Sequence, residues 1–222
     1  MNQNIAAAHL MLLTKLYKKF QGTKLLKEGY NKYFSLGVND IGIATVKRYF
    51  KRLLKLSNLP IVSIGSGSGV VELLLDQAFD VDIICVDPDP HSFSTAPEDM
   101  GKKPKYPLVS DLIKDQPTIV GNCILLLVWS PPNASTYDYD ALVALCPNLV
   151  LWIGEPSGSA GGATMLKWLQ KCGIKAEPHN PGKDFFPRYQ LLDEDHVDGF
   201  DNFIGWPIWN TIALLQRPSG NS

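Results

Sequence analysis

IVSIGSGSGVVELLL, residues 61–75, decides how this chain is read. Ile61–Ile64 has the length and β-branched character of a buried strand. Glycine then alternates with serine, as Gly65, Gly67 and Gly69, and the pattern leaves as an apolar helix from Val70. Glycine suits a turn whose dihedrals are closed to residues with a Cβ, or whose backbone a ligand must touch. Amides at the start of the next helix then face an acceptor group on that ligand. The ligand of such a unit lies at the carboxyl ends of the strands, where the strand order reverses.

Working outward, short apolar runs recur at Val81–Val86, weakly at Pro107–Val109, then at Cys123–Val128, Leu149–Ile153, Ile174–Ala176 and Thr211–Gln216. Helical patterns separate several of them, at Val70–Ala78, Tyr137–Leu145 and Ala163–Cys172. Buried strands alternating with helices predict an α/β fold. With seven runs, the expectation is a Rossmann-like, doubly wound, mostly parallel seven-stranded sheet. Residues 5–20 and 39–57 read as amphipathic helices in front of it, the second with Asn39 or Asp40 as N-cap. The expected division is a basic helical N-terminal extension over 1–58 and a ligand-binding domain over 59–222.

Two cofactor classes compete for the glycine turn. A nicotinamide site wants G-x-G-x-x-G, with a third glycine at position 70, and that position is Val70. The spacing present is G-x-G-x-G, which resembles motif I of class I S-adenosylmethionine (SAM) methyltransferases. The second strand, VDIICVDPD, delivers Asp87 to its end, where a carboxylate accepts hydrogen bonds from both hydroxyls of a ribose. The resemblance implies SAM as cofactor, held by Ser63, Gly65, Gly67, Gly69 and Asp87, with Asp111 near the adenine and Trp129 at the pocket wall. It also implies an acid at position 63, two residues before the first glycine. Ser63 stands there instead, which leaves two alternatives: a reduced affinity for SAM, or a charge supplied by another acid, for which Glu72 and Glu155 are the candidates.

The acceptor side is expected where the fourth run ends, in LLLVWSPPNAS. Ser130-Pro131-Pro132-Asn133 resembles the (Asp/Asn/Ser)-Pro-Pro-aromatic motif of amino methyltransferases. Asn133 cannot stack on a planar substrate, so Trp129 or Tyr137 would have to. The alternative is a rigid turn that closes the pocket. A second resemblance covers residues 40–217 and is to a group of bacterial and fungal SAM-methyltransferase-like proteins. It rests on Ile61–Leu75, on VWSPPN, on LWIGEPSGSAGGATMLKWL and on IGWPIWNTIALLQR. It draws attention to Glu155 as general base or cation grip. Ser130, Pro131, Asn133 and Glu155 are therefore the candidate catalytic residues. Trp206 and Trp209 are either a stacking wall or core.

The 222 residues are 45% hydrophobic and 19% charged, a globular composition. No run reaches the roughly 18 apolar residues that span a bilayer. The opening MNQNIAAAHLMLL lacks a preceding basic segment and reads as a helix, not a leader. A cytoplasmic setting is expected, with a nuclear one open. Cys85, Cys123, Cys146 and Cys172 have no metal-ligand spacing, and no metal is expected. The net charge of −1 hides an asymmetry, because residues 1–58 carry eleven Lys and Arg against two acids. Lys47, Arg48, Lys51, Arg52 and Lys55 form a helical stripe. Such a stripe either contacts nucleic-acid phosphates or packs against acids of its own chain. The function expected is methyl transfer from SAM, with RNA as the first choice of acceptor. The alternatives are a small-molecule methyltransferase whose helices form a lid, and a catalytically silent SAM-binding or interaction protein.

Overall fold

The computed structural model describes residues 40–67, 69–88, 102–128, 136–154, 162–174, 188–197 and 210–218. The elements in chain order are α1 (Asp40–Leu56), β1 (Ile61–Ile64), α2 (Val70–Phe79), β2 (Ile83–Val86), α3 (Val109–Asp115), β3 (Ile124–Val128), α4 (Tyr137–Leu145), β4 (Leu149–Gly154), α5 (Ala163–Lys171), β5 (Gln190–Val197) and β6 (Asn210–Gln216). The strands form one sheet in the order β2-β1-β3-β4-β6-β5. The first four run parallel, while β6 is antiparallel to both β4 and β5. This is a Rossmann-like, mostly parallel sheet with six strands among the described residues.

The sheet is apolar on both faces because helices cover both. Ile61, Ile83, Leu126, Leu151 and Leu214 point to the face covered by α1 and α2. Val62, Leu125, Val150, Trp152 and Leu215 point to the other, beneath α3, α4 and α5. Helix α1 is a full layer of this sandwich: Phe50 and Leu53 are completely buried, with Val46 and Tyr49 beside them. Burying a Phe or Leu contributes roughly 1.5–3 kcal/mol each. Residues 40–56 of the expected extension are thus docked on the sheet. Among the described residues, no helix is long and apolar enough to cross a membrane.

Six strands, against the seven expected, are counted among the described residues, and one expected run is corrected. The run at Pro107–Val109 is not a strand: Tyr106 makes one parallel bridge to Val86, and α3 starts at Val109. Pro107 lacks the N–H that a second rung would need. Of the run at Ile174–Ala176 only Ile174 is described, buried just after α5, and the rest lies outside the described residues; a strand that was not expected, β5, stands at Gln190–Val197. β5 was illegible because QLLDEDHV is rich in charge, as an edge strand tolerates.

Candidate functional site

The strand order reverses at β1, which has β2 on one side and β3 on the other. A crevice therefore opens beyond the carboxyl ends of β1 and β3. The turn from β1 into α2 forms its floor. Gly65, Gly67 and Gly69 all have left-handed φ, at 68°, 54° and 67°.

These glycines have different tasks. A Cβ on Gly69 would stand 2.0 Å from the carbonyl oxygen of Lys102. The chain itself packs there, since the Lys102 amide donates to the Gly69 carbonyl at 3.0 Å. Gly69 is required by the fold. A Cβ on Gly67 would meet nothing within 4 Å. Gly67 is the open point of the turn, where a ligand can approach the backbone. Its N–H donates to Asp87 Oδ2 at 2.7 Å, which ties the turn to the end of β2.

Asp87 is buried and lies within electrostatic reach of Glu72. The Ser63 hydroxyl donates to Glu72 Oε1 at 2.7 Å, and both residues are buried. Of the two acids considered for the charge missing at position 63, Glu72 is thus brought to Ser63 from the first turn of α2. Burial pushes the Glu72 carboxyl up to about 7; the Ser63 hydrogen bond works the other way, while Asp76 and Asp87 add to the rise. Lys102, the cation anchored beside the turn, is paired with Asp76 and with Asp82, the latter at 2.6 Å.

Helix α4 follows β3, on the other side of the switch point. The Tyr137 hydroxyl is shut off from solvent. Burial and the Asp87 carboxylate push its phenol up, which places Tyr137 within electrostatic reach of Asp87. Asp138, next along, is buried and accepts from the Gly162 amide at 3.0 Å and the Tyr139 amide at 2.8 Å. Burial lifts its carboxyl to about 6. Sequence reasoning missed Asp138, because an acid in a first helical turn reads as a partner for the helix dipole. Asp111 sits in the first turn of α3, partly exposed. Trp129, Ser130, Pro131, Asn133, Glu155, Trp206 and Trp209 lie outside the described residues.

On α1 the stripe divides into two rows. Arg48 pairs with Asp195 and Arg52 with Asp193, both acids of β5. Lys47 is partly buried, which lowers its pKa, while Lys51 and Lys55 are exposed. Cys85 and Cys123 are buried free thiols, and Cys146 and Cys172 are free and partly exposed. No cluster of three or more His, Cys, Asp or Glu suited to a metal ion occurs among the described residues.

No family model matches the chain, and no curated protein matches it either. Among solved structures it is similar to Thermoplasma acidophilum 1320, at 12% identity over 80% of this chain and 88% of that one, with a TM-score of 0.41. It is similar to magnesium protoporphyrin IX methyltransferase (ChlM) from Synechocystis PCC 6803 with bound S-adenosylhomocysteine (SAH), at 14% identity over 92% of this chain and 99% of that one, TM-score 0.44. It is also similar to the small RNA methyltransferase HEN1, at 15% identity over 79% of this chain but 25% of that one, TM-score 0.40. Strand order, switch point and glycine turn give this chain the Rossmann-like fold that its resemblance to class I methyltransferases implied.

Proposed function

We propose that this protein binds SAM in the crevice between β1 and β3 and transfers its methyl group to an acceptor, with RNA as the first candidate. The observation that carries the cofactor is the charge of the site. Two buried acids, Glu72 and Asp87, stand beside the turn, and Glu72, lifted to about 7 by burial and by the like charges of Asp76 and Asp87, ionises fully at neutral pH only with a cation beside it. Such a field opposes a dianionic pyrophosphate and favours a ligand bearing an ammonium and a sulfonium. The open face of Gly67 admits the ligand to the backbone, and Asp87 stands where a ribose would meet it.

SAM, when bound, supplies an electrophilic methyl carbon, and methyl transfer needs the acceptor aligned with it. Asp87 would take the ribose hydroxyls and the Ser63–Glu72 pair would face the cationic end. Ser130, Pro131, Asn133 and Glu155 remain the proposed acceptor-side residues. Nucleic acid as acceptor is supported by the cationic stripe of α1. A small-molecule acceptor is the second reading, favoured by the pairing of Arg48 and Arg52 inside the chain.

The test is a thermal shift with SAM, SAH and NAD, each followed by calorimetry. At a hundredfold excess over Kd, a ligand of the native state adds about 2.7 kcal/mol of stability. SAM and SAH should raise Tm and NAD should not. A shift with NAD alone, or with none of the three, refutes the cofactor.

A further inference from the structure

We propose that Asp193 and Asp195 act as an internal stand-in for phosphates, holding the Arg48–Arg52 row of α1 closed until a nucleic-acid backbone displaces them. This rests on the reading that α1 contacts nucleic acid, and it adds how that contact is regulated.

The geometry begins with a fault in β5. Leu191 pairs with Leu215 and faces α3–α5, whereas Asp193 pairs with Leu214, so one residue is inserted between them. Without that bulge Asp193 would follow Leu191 onto the far face, since side chains alternate strictly along a strand. With it, Asp193 and Asp195 lie opposite Leu214 and Ile212, on the face that α1 covers. A bulge is a common way to re-aim a side chain. Here it aims two acids at two arginines.

The spacings match. Arg48 and Arg52 are one helical turn apart, about 6 Å along α1. Asp193 and Asp195 are two residues apart on a strand, about 6.6 Å. The pairs form in register, with Arg48 on Asp195 and Arg52 on Asp193, and Arg52 also reaches the Leu192 carbonyl at 3.5 Å. Two carboxylates at this separation present to the arginines what two backbone phosphates would. The pairs are also accessible: the arginine side chains are 63% and 45% exposed and the aspartates 41% and 38%. Exposed ion pairs are weak, so a polyanion can exchange with them, while the Tyr49 hydroxyl of the buried layer also donates to Asp193. The core of this layer is supplied by Val46, Tyr49, Phe50 and Leu53. Lys51 and Lys55 stand exposed on the same helix and offer a first foothold.

The experiment uses the full chain with Asp193→Asn and Asp195→Asn together, measuring binding of a fluorescein-labelled single-stranded RNA by anisotropy at low salt. The control is Asp80→Asn with Glu194→Gln. It changes net charge equally at two exposed sites, and Glu194 lies opposite Ala213, on the face away from α1. The asparagine variant should bind RNA about threefold to tenfold more tightly than wild type, and the control should gain much less. Adding Arg48→Gln and Arg52→Gln to the asparagine variant should abolish the gain. The proposal is overturned if the folded asparagine variant binds no more tightly than the control, or if the gain survives loss of both arginines. RNA binding by neither protein overturns the nucleic-acid reading as well. The cofactor stands or falls separately, on the SAM thermal shift of the same samples.

Discussion

Replacing Gly69 with alanine should damage the fold, and replacing Gly67 with alanine should damage the site. Both residues have left-handed φ, 67° and 54°, where an alanine costs about 1–2 kcal/mol. The surroundings separate them. The new Cβ at position 69 would sit 2.0 Å from Lys102 O and 2.8 Å from both Lys102 N and its carbonyl carbon. Those are backbone atoms and cannot swing aside. The segment must retreat, and the bond from the Lys102 amide to the Gly69 carbonyl goes with it, a further loss of about 0.5–1.5 kcal/mol. Lys102 also anchors Asp76 and Asp82, so the retreat loosens those pairs. Gly69→Ala should therefore lose about 1.5–3.5 kcal/mol in urea unfolding, summing these two effects. Gly67→Ala meets nothing within 4 Å and should lose only the dihedral cost of about 1–2 kcal/mol. In calorimetry with SAM the ranking reverses, since the methyl group at position 67 occupies the approach to the backbone. Equal stability of the two variants would refute the separation of fold glycine from site glycine.

Other consequences are testable alongside. In Glu72 the folded pKa is raised to about 7, above an unfolded value near 4.5, so the native state binds the extra proton and stability falls as pH rises between them. Relative to wild type, Glu72→Gln should gain about 3 kcal/mol between pH 4.5 and 8 in urea titrations, and a parallel pH profile would contradict the burial. Asp138→Ala leaves the buried amides of Gly162 and Tyr139 without their acceptor and should cost about 1–3 kcal/mol, which Asp138→Asn should recover in part; equal melting of the two variants would argue against the tether. Asp87→Asn should lower SAM affinity at least about tenfold, the equivalent of one charge-assisted hydrogen bond, while Tm without ligand moves little; unchanged calorimetric affinity would remove Asp87 from the site.

The parts of the fold governed by local pattern were legible. Ile61–Ile64 and Tyr137–Leu145 have the expected bounds, because each declares its length within the segment itself. The sheet edges were not legible. Beyond β2, one bridge at Tyr106 stands where a strand was expected, and β5 hides behind its charges. Edge strands bury one flank only, so their composition is free to drift toward polar residues. The glycine turn was legible as a motif, but the division between Gly67 and Gly69 depends on Lys102, thirty-odd residues on. Glu72 could be suspected from the missing acid at position 63. Asp138 could not, because the amide it accepts from belongs to Gly162, 24 residues away in the sequence.

The charge asymmetry of the chain also changes meaning once the layers are known. Read linearly, a basic stretch before residue 58 and an acidic remainder suggest a segment held ready for a partner. In the fold, α1 divides its circumference among three tasks. Val46, Phe50 and Leu53 face the sheet and fix the helix in place. Arg48 and Arg52 face sideways onto β5, where the bulge has turned two acids to meet them. Lys51 and Lys55 face solvent. The helix is thus held by its apolar face, and its arginines are left in contacts weak enough to exchange. A helix docked only through its charges would come off the sheet when a polyanion took them. Here the anchoring face and the exchangeable face are separate, so the arginines can change partners while the helix stays on the sheet.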